Sequence, residues 1–101
     1  MSKITRDGDI LTIQPQTDIA GAKVDELKVE FKQALEDGIS KLIVDMAKIE
    51  MIDSMGIGLL IATFNSLSKK NCQLELNNIS SDITKLLQLM RLDQHFIMNQ
   101  K

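Results

Sequence analysis

Two features of the chain predict a small α/β fold, a mixed sheet of about four to five strands with helices packed against it. Short apolar or alternating runs, such as Leu11–Ile13, Leu42–Val44 and Cys72–Leu76, take turns with longer segments whose apolar residues recur every three or four positions. Leu42-Ile43-Val44 is continuously apolar, which predicts a central strand covered on both faces. With 101 residues, 44% of them hydrophobic, the chain is sized for one domain over residues 1–101 and one modest core. The expected order is β-β-α-β-α-β-α with a last strand possible. Helical crossovers between successive strands imply parallel neighbours.

Each element has its own signal. Asp7-Gly8 stands between Ile4–Arg6 and Asp9–Gln14, a hairpin pattern because both turn residues tolerate positive φ. Pro15 has no N–H and is expected to end the second strand's ladder. Val24, Leu27, Phe31, Ala34 and Leu35 form the apolar stripe of an amphipathic helix that Glu36-Asp37-Gly38 closes, with Gly38 suited to the left-handed C′ position. The two acids there oppose the helix dipole by a few tenths of a kcal/mol. After Leu42–Val44, the residues Ile57, Leu60, Ile61, Phe64 and Leu67 mark a second helix. Cys72, Leu74 and Leu76 alternate with polar residues as a half-buried strand, and Asn77-Asn78 is read as a turn. Ile79, Ile83, Leu86, Leu87 and Met90 predict a third helix, with Ser80 or Ser81 as N-cap and Asp82 in its first turn. Leu92 and Phe96–Met98 are a final apolar segment, read as a strand or as an extended tail packed on the core.

Composition narrows the functional classes. A net charge of −2 lacks the surplus of Lys and Arg that nucleic-acid binding needs, and Lys69-Lys70 reads as a solvated helix end. No apolar run approaches the roughly 18 residues of a membrane span. The charged opening lacks the hydrophobic stretch of a secretion signal, and Cys72 is the one cysteine. A reducing, cytoplasmic location is therefore expected. No His, Cys, Asp or Glu grouping has metal-ligand spacing, and no cofactor is expected.

The informative stretch is Asp53-Ser54-Met55-Gly56-Ile57-Gly58, between the apolar strand and the second helix. A serine at a helix start can cap it, attack a substrate or accept a phosphate. Ser and Asp are preferred caps. A nucleophile is disfavoured because Ile52 occupies the first position of a G-x-S-x-G elbow, and the one histidine, His95, sits in an Asp-Gln-His-Phe context without a base role. Gly56-x-Gly58 lacks the third glycine of a dinucleotide fingerprint and the Gly-Lys pair of a P-loop. A cap alone leaves the two glycines unexplained, since each weakens a helix by about 1 kcal/mol relative to alanine. They would strip side chains from around Ser54 and let a partner come close. A phosphate there would add roughly −1.5 to −2 charges in the favourable field of a helix N-terminus.

The stretch from Leu42 to Leu60, LIVDMAKIEMIDSMGIGLL, resembles the signature of STAS domains of the bacterial anti-sigma factor antagonist type: an apolar strand, a short turn, then Asp-Ser-x-Gly-[Leu/Ile]-Gly opening a helix. That resemblance implies a non-enzymatic partner-switching regulator of transcription. Ser54 would be phosphorylated by a serine kinase that is also the anti-sigma factor, and a PP2C-type phosphatase would reverse this. The unphosphorylated form would capture the anti-sigma factor and free the sigma factor. Asp53, Met55, Gly56 and Ile57 match positions flanking the acceptor and become expected partner contacts. So does Asp18, in a loop that commonly borders the partner surface. A monomer is expected when the protein is free. The chain departs from the family's Gly-x-[Leu/Ile]-Asp near the first helix, having Thr17-Asp18-Ile19-Ala20. Met55 stands where a second serine is frequent, and Arg91 where a glycine is common. The alternative is a constitutive STAS scaffold, as a subunit of a signalling complex or an accessory to a transporter.

Overall fold

The computed structural model of the chain describes residues 2–36 and 38–101. Strands β1 (Lys3–Asp7) and β2 (Ile10–Gln14) form the hairpin, followed by helix α1 (Lys23–Leu35), strand β3 (Lys41–Asp45), helix α2 (Ser54–Lys69), strand β4 (Gln73–Ile79), helix α3 (Ser81–Leu89), a single 3-10 turn at Leu92–Gln94, and strand β5 (Ile97–Gln100). The sheet runs in the order β1-β2-β3-β4-β5. Among the described residues only the β1–β2 pair is antiparallel; β2 to β5 are parallel. The hairpin turn is Gly8-Asp9, one residue later than Asp7-Gly8, since Asp7 still pairs with Ile10 and Gly8 carries the positive φ of 65°.

Strand order decides where the core lies. Each parallel crossover steps to the next position in the same direction. Right-handed connections that never reverse direction put their helices on one side of the sheet. Burial follows: in β2 and β3 only alternate residues are buried. Leu11, Leu42 and Leu74 form one row on the covered face, and Ile13, Val44, Leu76 and Met98 another. Phe31 from α1, Leu60 from α2 and Leu87 from α3 close over them, each nearly or fully buried.

The expectation that β3 is covered on both faces is therefore corrected. Ile43 lies on the open face in a row with Thr12 and Glu75, and is only half-buried. A continuous apolar triplet cannot distinguish a doubly covered strand from one whose open-face residue is sheltered by neighbours. Ile10 and Ile97 share this face, beside polar pairs. The Lys41 ammonium meets the Glu75 carboxylate at 3.1 Å, and Asp45 accepts from the side-chain amides of Gln14 at 3.0 Å and Asn78 at 2.9 Å.

Other boundaries shift for local reasons. Asn77 and Asn78 belong to β4 rather than to a turn. Asn78 takes a positive φ of 58°, and the β4–β5 register slips between Leu76 and Ile79, so the pair marks a bulge. Ile79 accordingly ends a strand instead of starting a helix. Ser80 caps α3, its hydroxyl accepting from the Ile83 N–H at 3.2 Å. The C-cap of α1 is Glu36, which puts left-handed Gly38 one residue beyond C′; the expected place of Asp37 in the last turn lies outside the described residues. Helix α2 ends with Asn71 at φ 58°, where the Cys72 N–H donates to Leu67 and the Asn71 N–H to Ser68, the paired bonds of a Schellman motif. Arg91 follows α3 at φ 60°, left-handed backbone that glycine adopts more readily than arginine.

The one-sided sheet predicts an asymmetry between adjacent residues. Val44→Thr buries a hydroxyl and is expected to lower the stability by about 1–3 kcal/mol. Ile43→Thr, on the open face, is expected to cost clearly less. Chemical denaturation of the two variants measures the difference.

Candidate functional site

The loop after β3 carries the site, at the edge of the sheet where the parallel strands end. Ile52 forms a parallel bridge with Ile19 from the loop between β2 and α1, and the Asp53 N–H donates to the Ile19 carbonyl at 3.3 Å. Two carboxylates lace these loops in opposite directions. One oxygen of Asp18, in the earlier loop, accepts from the backbone N–H groups of Glu50 at 2.8 Å and Met51 at 3.2 Å. Asp53, in the later loop, accepts from the Gly21 N–H and, with its other oxygen, from the Gly56 N–H, both at 2.9 Å.

Asp53 is thus the N-cap of α2, with extended backbone at φ −101° and ψ −177°. Its carboxylate also satisfies an N–H just before α1, whose own N-cap, Ala22, has no capping side chain. The positive ends of two helices converge on one acid. The Gly21 and Gly56 amides hold the Asp53 carboxyl below its ordinary value, against the opposing pull of desolvation. A charged Asp53 is the form that the loops require.

The assignment of the cap corrects the reading of Ser54. In Asp-Ser both residue types can cap, and the acid takes the position. Ser54 becomes the first residue of α2 and is exposed, its hydroxyl not used as the cap. Met51 is 60% exposed and Met55 54%, so large apolar side chains three residues before and one residue after Ser54 face solvent. A groove of about 280 Å³ between α1 and α2 begins beside Met55 and is lined by Val24, Lys28, Gly58 and Leu59.

The two glycines have different roles. A Cβ on Gly56 would run into the Ile19 carbonyl oxygen and stand 2.7 Å from Cγ1 of Ile52, so this glycine allows the two loops to close on α2. It clears nothing for a partner. Gly58 is exposed, and a Cβ there would meet no atom within 4 Å. Ile57 is 7% exposed and belongs to the core. The expected acceptor Ser54 lies on the surface; of the expected contacts, Met55 lies there too, Gly56 and Ile57 lie beneath it, and Asp53 and Asp18 hold loops. Sequence reasoning missed Met51 and Gly21. Gly21 has left-handed backbone at φ 58°.

Other chemistry is not assembled here. The exposed His95 ring lies against Phe64 with centroids 5.4 Å apart. Phe64 is ten residues along α2 from Ser54, roughly 15 Å of helix, so His95 and Ser54 do not form a base–nucleophile pair. Among the described residues no group of three or more His, Cys, Asp or Glu could hold a metal ion, and no helix is long and apolar enough to cross a membrane.

Residues 2–101 match the family model of the STAS domain, and the chain belongs to that family. Solved structures repeat the fold at low sequence identity. A Thermotoga maritima protein assigned provisionally as an anti-sigma factor antagonist superposes with a TM-score of 0.92 at 18% identity, covering 99% of this chain and 86% of that one. An anti-sigma factor antagonist from Mycobacterium paratuberculosis gives 0.87 at 17% identity, covering 100% and 86%. The Bacillus cell fate determinant SpoIIAA in its phosphorylated form gives 0.77 at 16% identity, covering 97% and 90%.

Two outcomes test the geometry. Gly56→Ala is expected to destabilise the chain by about 1–3 kcal/mol through the forced loop contact, while Gly58→Ala should stabilise it by roughly 0.5–1 kcal/mol. Thermal melts of both variants measure this. A folded-state pKa held below the unfolded value of about 3.9 gives stability that is present above that value and lost as pH falls through the folded pKa. Asp53→Asn, which can still cap, should therefore lose less stability on acidification than the parent chain, as read by denaturant midpoints across that range.

Proposed function

We propose that the protein is a phosphorylation-controlled partner switch of the anti-sigma factor antagonist kind, with Ser54 as the phosphoryl acceptor. The observation that carries this reading is an exposed serine at the first position of α2, beside a carboxylate that has already taken the capping role. The hydroxyl is left free to react. STAS membership and the fold shared with anti-sigma factor antagonists, one of them in a phosphorylated form, support it. The partners would be a serine-kinase anti-sigma factor and a PP2C-type phosphatase, in the cytoplasm, with the free protein a monomer and regulated transcription the output. The protein would bind and be modified without catalysing a reaction itself.

The chemistry falls to the partners. The Ser54 oxygen attacks the γ-phosphorus of ATP in the kinase, ADP departs, and the hydroxyl proton passes to a kinase base. Hydrolysis by the phosphatase returns the hydroxyl and inorganic phosphate. The phosphate would lie in the positive field of the α2 N-terminus, so the fold tolerates it. Toward a partner the effect is the opposite. A phosphate of roughly −1.5 to −2 charges beside ionised Asp53 makes a dense negative spot between Met51 and Met55. Desolvating such a charge unpaired costs several kcal/mol, enough to abolish binding in the micromolar range.

Incubation with the kinase and ATP is expected to add one phosphate, and Ser54→Ala to add none, by intact-mass spectrometry. Ser54→Asp should weaken kinase binding while circular dichroism stays unchanged. Modification of Ser54→Ala, or kinase binding indifferent to Ser54→Asp, would instead point to a constitutive scaffold.

A further inference from the structure

We propose that Met51 and Met55 form a second modification site around Ser54, one that takes hydrogen peroxide as substrate and closes the same surface by oxidation. The inference rests on the partner-switch reading of that surface and adds a separate input to it. Other large apolar side chains of the chain are equally open, Leu89 at 83% and Val29 at 57%, but these are hydrocarbons that peroxide does not oxidise. Here two thioethers, 60% and 54% exposed, lie three residues before and one residue after the acceptor serine in the chain. Their presentation is fixed by the backbone. The Met51 N–H is held by Asp18, and Met55 sits in the first turn of α2 at the mouth of the groove lined by Val24 and Leu59.

The other described methionines provide contrast within one chain. Met46 is 1% exposed, in the core, and Met98 is half-buried. Met90 is 46% exposed at the end of α3, a helix that runs back along the parallel strands, so it lies at the opposite edge of the sheet from Ser54. A methionine makes a good adaptable contact because it is flexible and polarizable. The same sulfur is oxidised wherever peroxide reaches it.

In the step itself, the sulfur lone pair attacks one peroxide oxygen, the O–O bond breaks and an S–O bond forms. The departing hydroxide takes the proton from the transferred oxygen and leaves as water. Sulfur is oxidised by two electrons and peroxide is reduced. The product sulfoxide is polar and chiral, and it replaces an apolar contact with a group that must be desolvated. Methionine sulfoxide reductases, drawing two electrons from thiols, reverse the change. Phosphate and sulfoxide would thus gate one surface from two different signals, and a bound partner would shield both.

The test uses the full chain carrying Met90→Leu, so that oxidation at the far edge does not contribute. Peroxide is applied to this protein alone and removed with catalase before the Ser54-directed kinase is added as the binding probe. Peptide mapping is expected to show sulfoxide at Met51 and Met55 forming at least about tenfold faster than at Met46, with circular dichroism unchanged. Kinase affinity should fall by roughly tenfold or more and return after reductase treatment. In the chain that also carries Met51→Leu and Met55→Leu, whatever affinity is measured before peroxide should be the affinity after it. Unchanged binding by the doubly oxidised protein overturns the proposal. So does an equal peroxide-induced loss in the Leu variant. If peroxide weakens binding but Ser54→Asp does not, the phosphoryl switch fails and the oxidation site stands. Should the unmodified chain not bind the kinase at all, both fail together.

Discussion

Asp53 ends a loop and begins a helix, and its carboxylate reaches both ways. It accepts from Gly21, thirty-two residues earlier, and from Gly56 in the first turn of α2. Two helix starts that would otherwise each need their own anion share this one. Asp18 answers from the other side by holding the Glu50 and Met51 amides, and the bridge between Ile19 and Ile52 lies between the two clasps. The pair makes a rigid platform out of two segments that connect different strands. Gly56 is part of the same device, because any side chain there would push the Ile19 loop away. Ser54 and Met55 project from this platform into solvent. A surface of that kind is suited to being recognised, and to having its charge changed, without refolding.

The sheet makes the platform possible. A strand order that never reverses leaves no crevice of the kind in which doubly wound α/β proteins bind cofactors. All helices lie over one face, and the ends of β2 and β3 bring their following loops side by side. The opposite face is mixed: Lys41–Glu75 and the Asp45 network lie on it among Ile10, Ile43 and Ile97. What the molecule offers at the Ser54 edge is an exposed serine and Met55 beside the groove between α1 and α2.

The element order was readable from periodicity because the apolar residues of α1, α2 and α3 recur on single faces, and the family was readable from Asp53 to Gly58 following the apolar strand. Three kinds of information were not. Covering of β3 on one face depends on strand order, which Leu42–Val44 does not encode locally. Which of two adjacent capping residues caps, Asp53 or Ser54, is decided by Gly21 reaching in from another loop. Whether a glycine is exposed or packed is likewise a tertiary matter: Gly56 and Gly58 look alike in sequence, yet one meets Ile19 and Ile52 and the other meets nothing. The Asn77-Asn78 pair was misread for a related reason. Asparagine tolerates left-handed backbone in a strand bulge as well as in a turn, and only pairing with β5 distinguishes them.

The most direct measurement is an NMR titration that follows the Asp53 side-chain carboxyl carbon together with the Gly21 and Gly56 amides, in the parent chain and in Ser54→Ala. A carboxylate shared by two helix starts should titrate below the ordinary aspartate value of about 3.9. Both glycine amide resonances should shift with the same midpoint, and the midpoint should be the same in Ser54→Ala, because the serine is not the cap. An ordinary midpoint, amides that titrate independently of Asp53, or a midpoint that moves when the Ser54 hydroxyl is removed would contradict the assignment of the platform to Asp53 and of the free hydroxyl to Ser54.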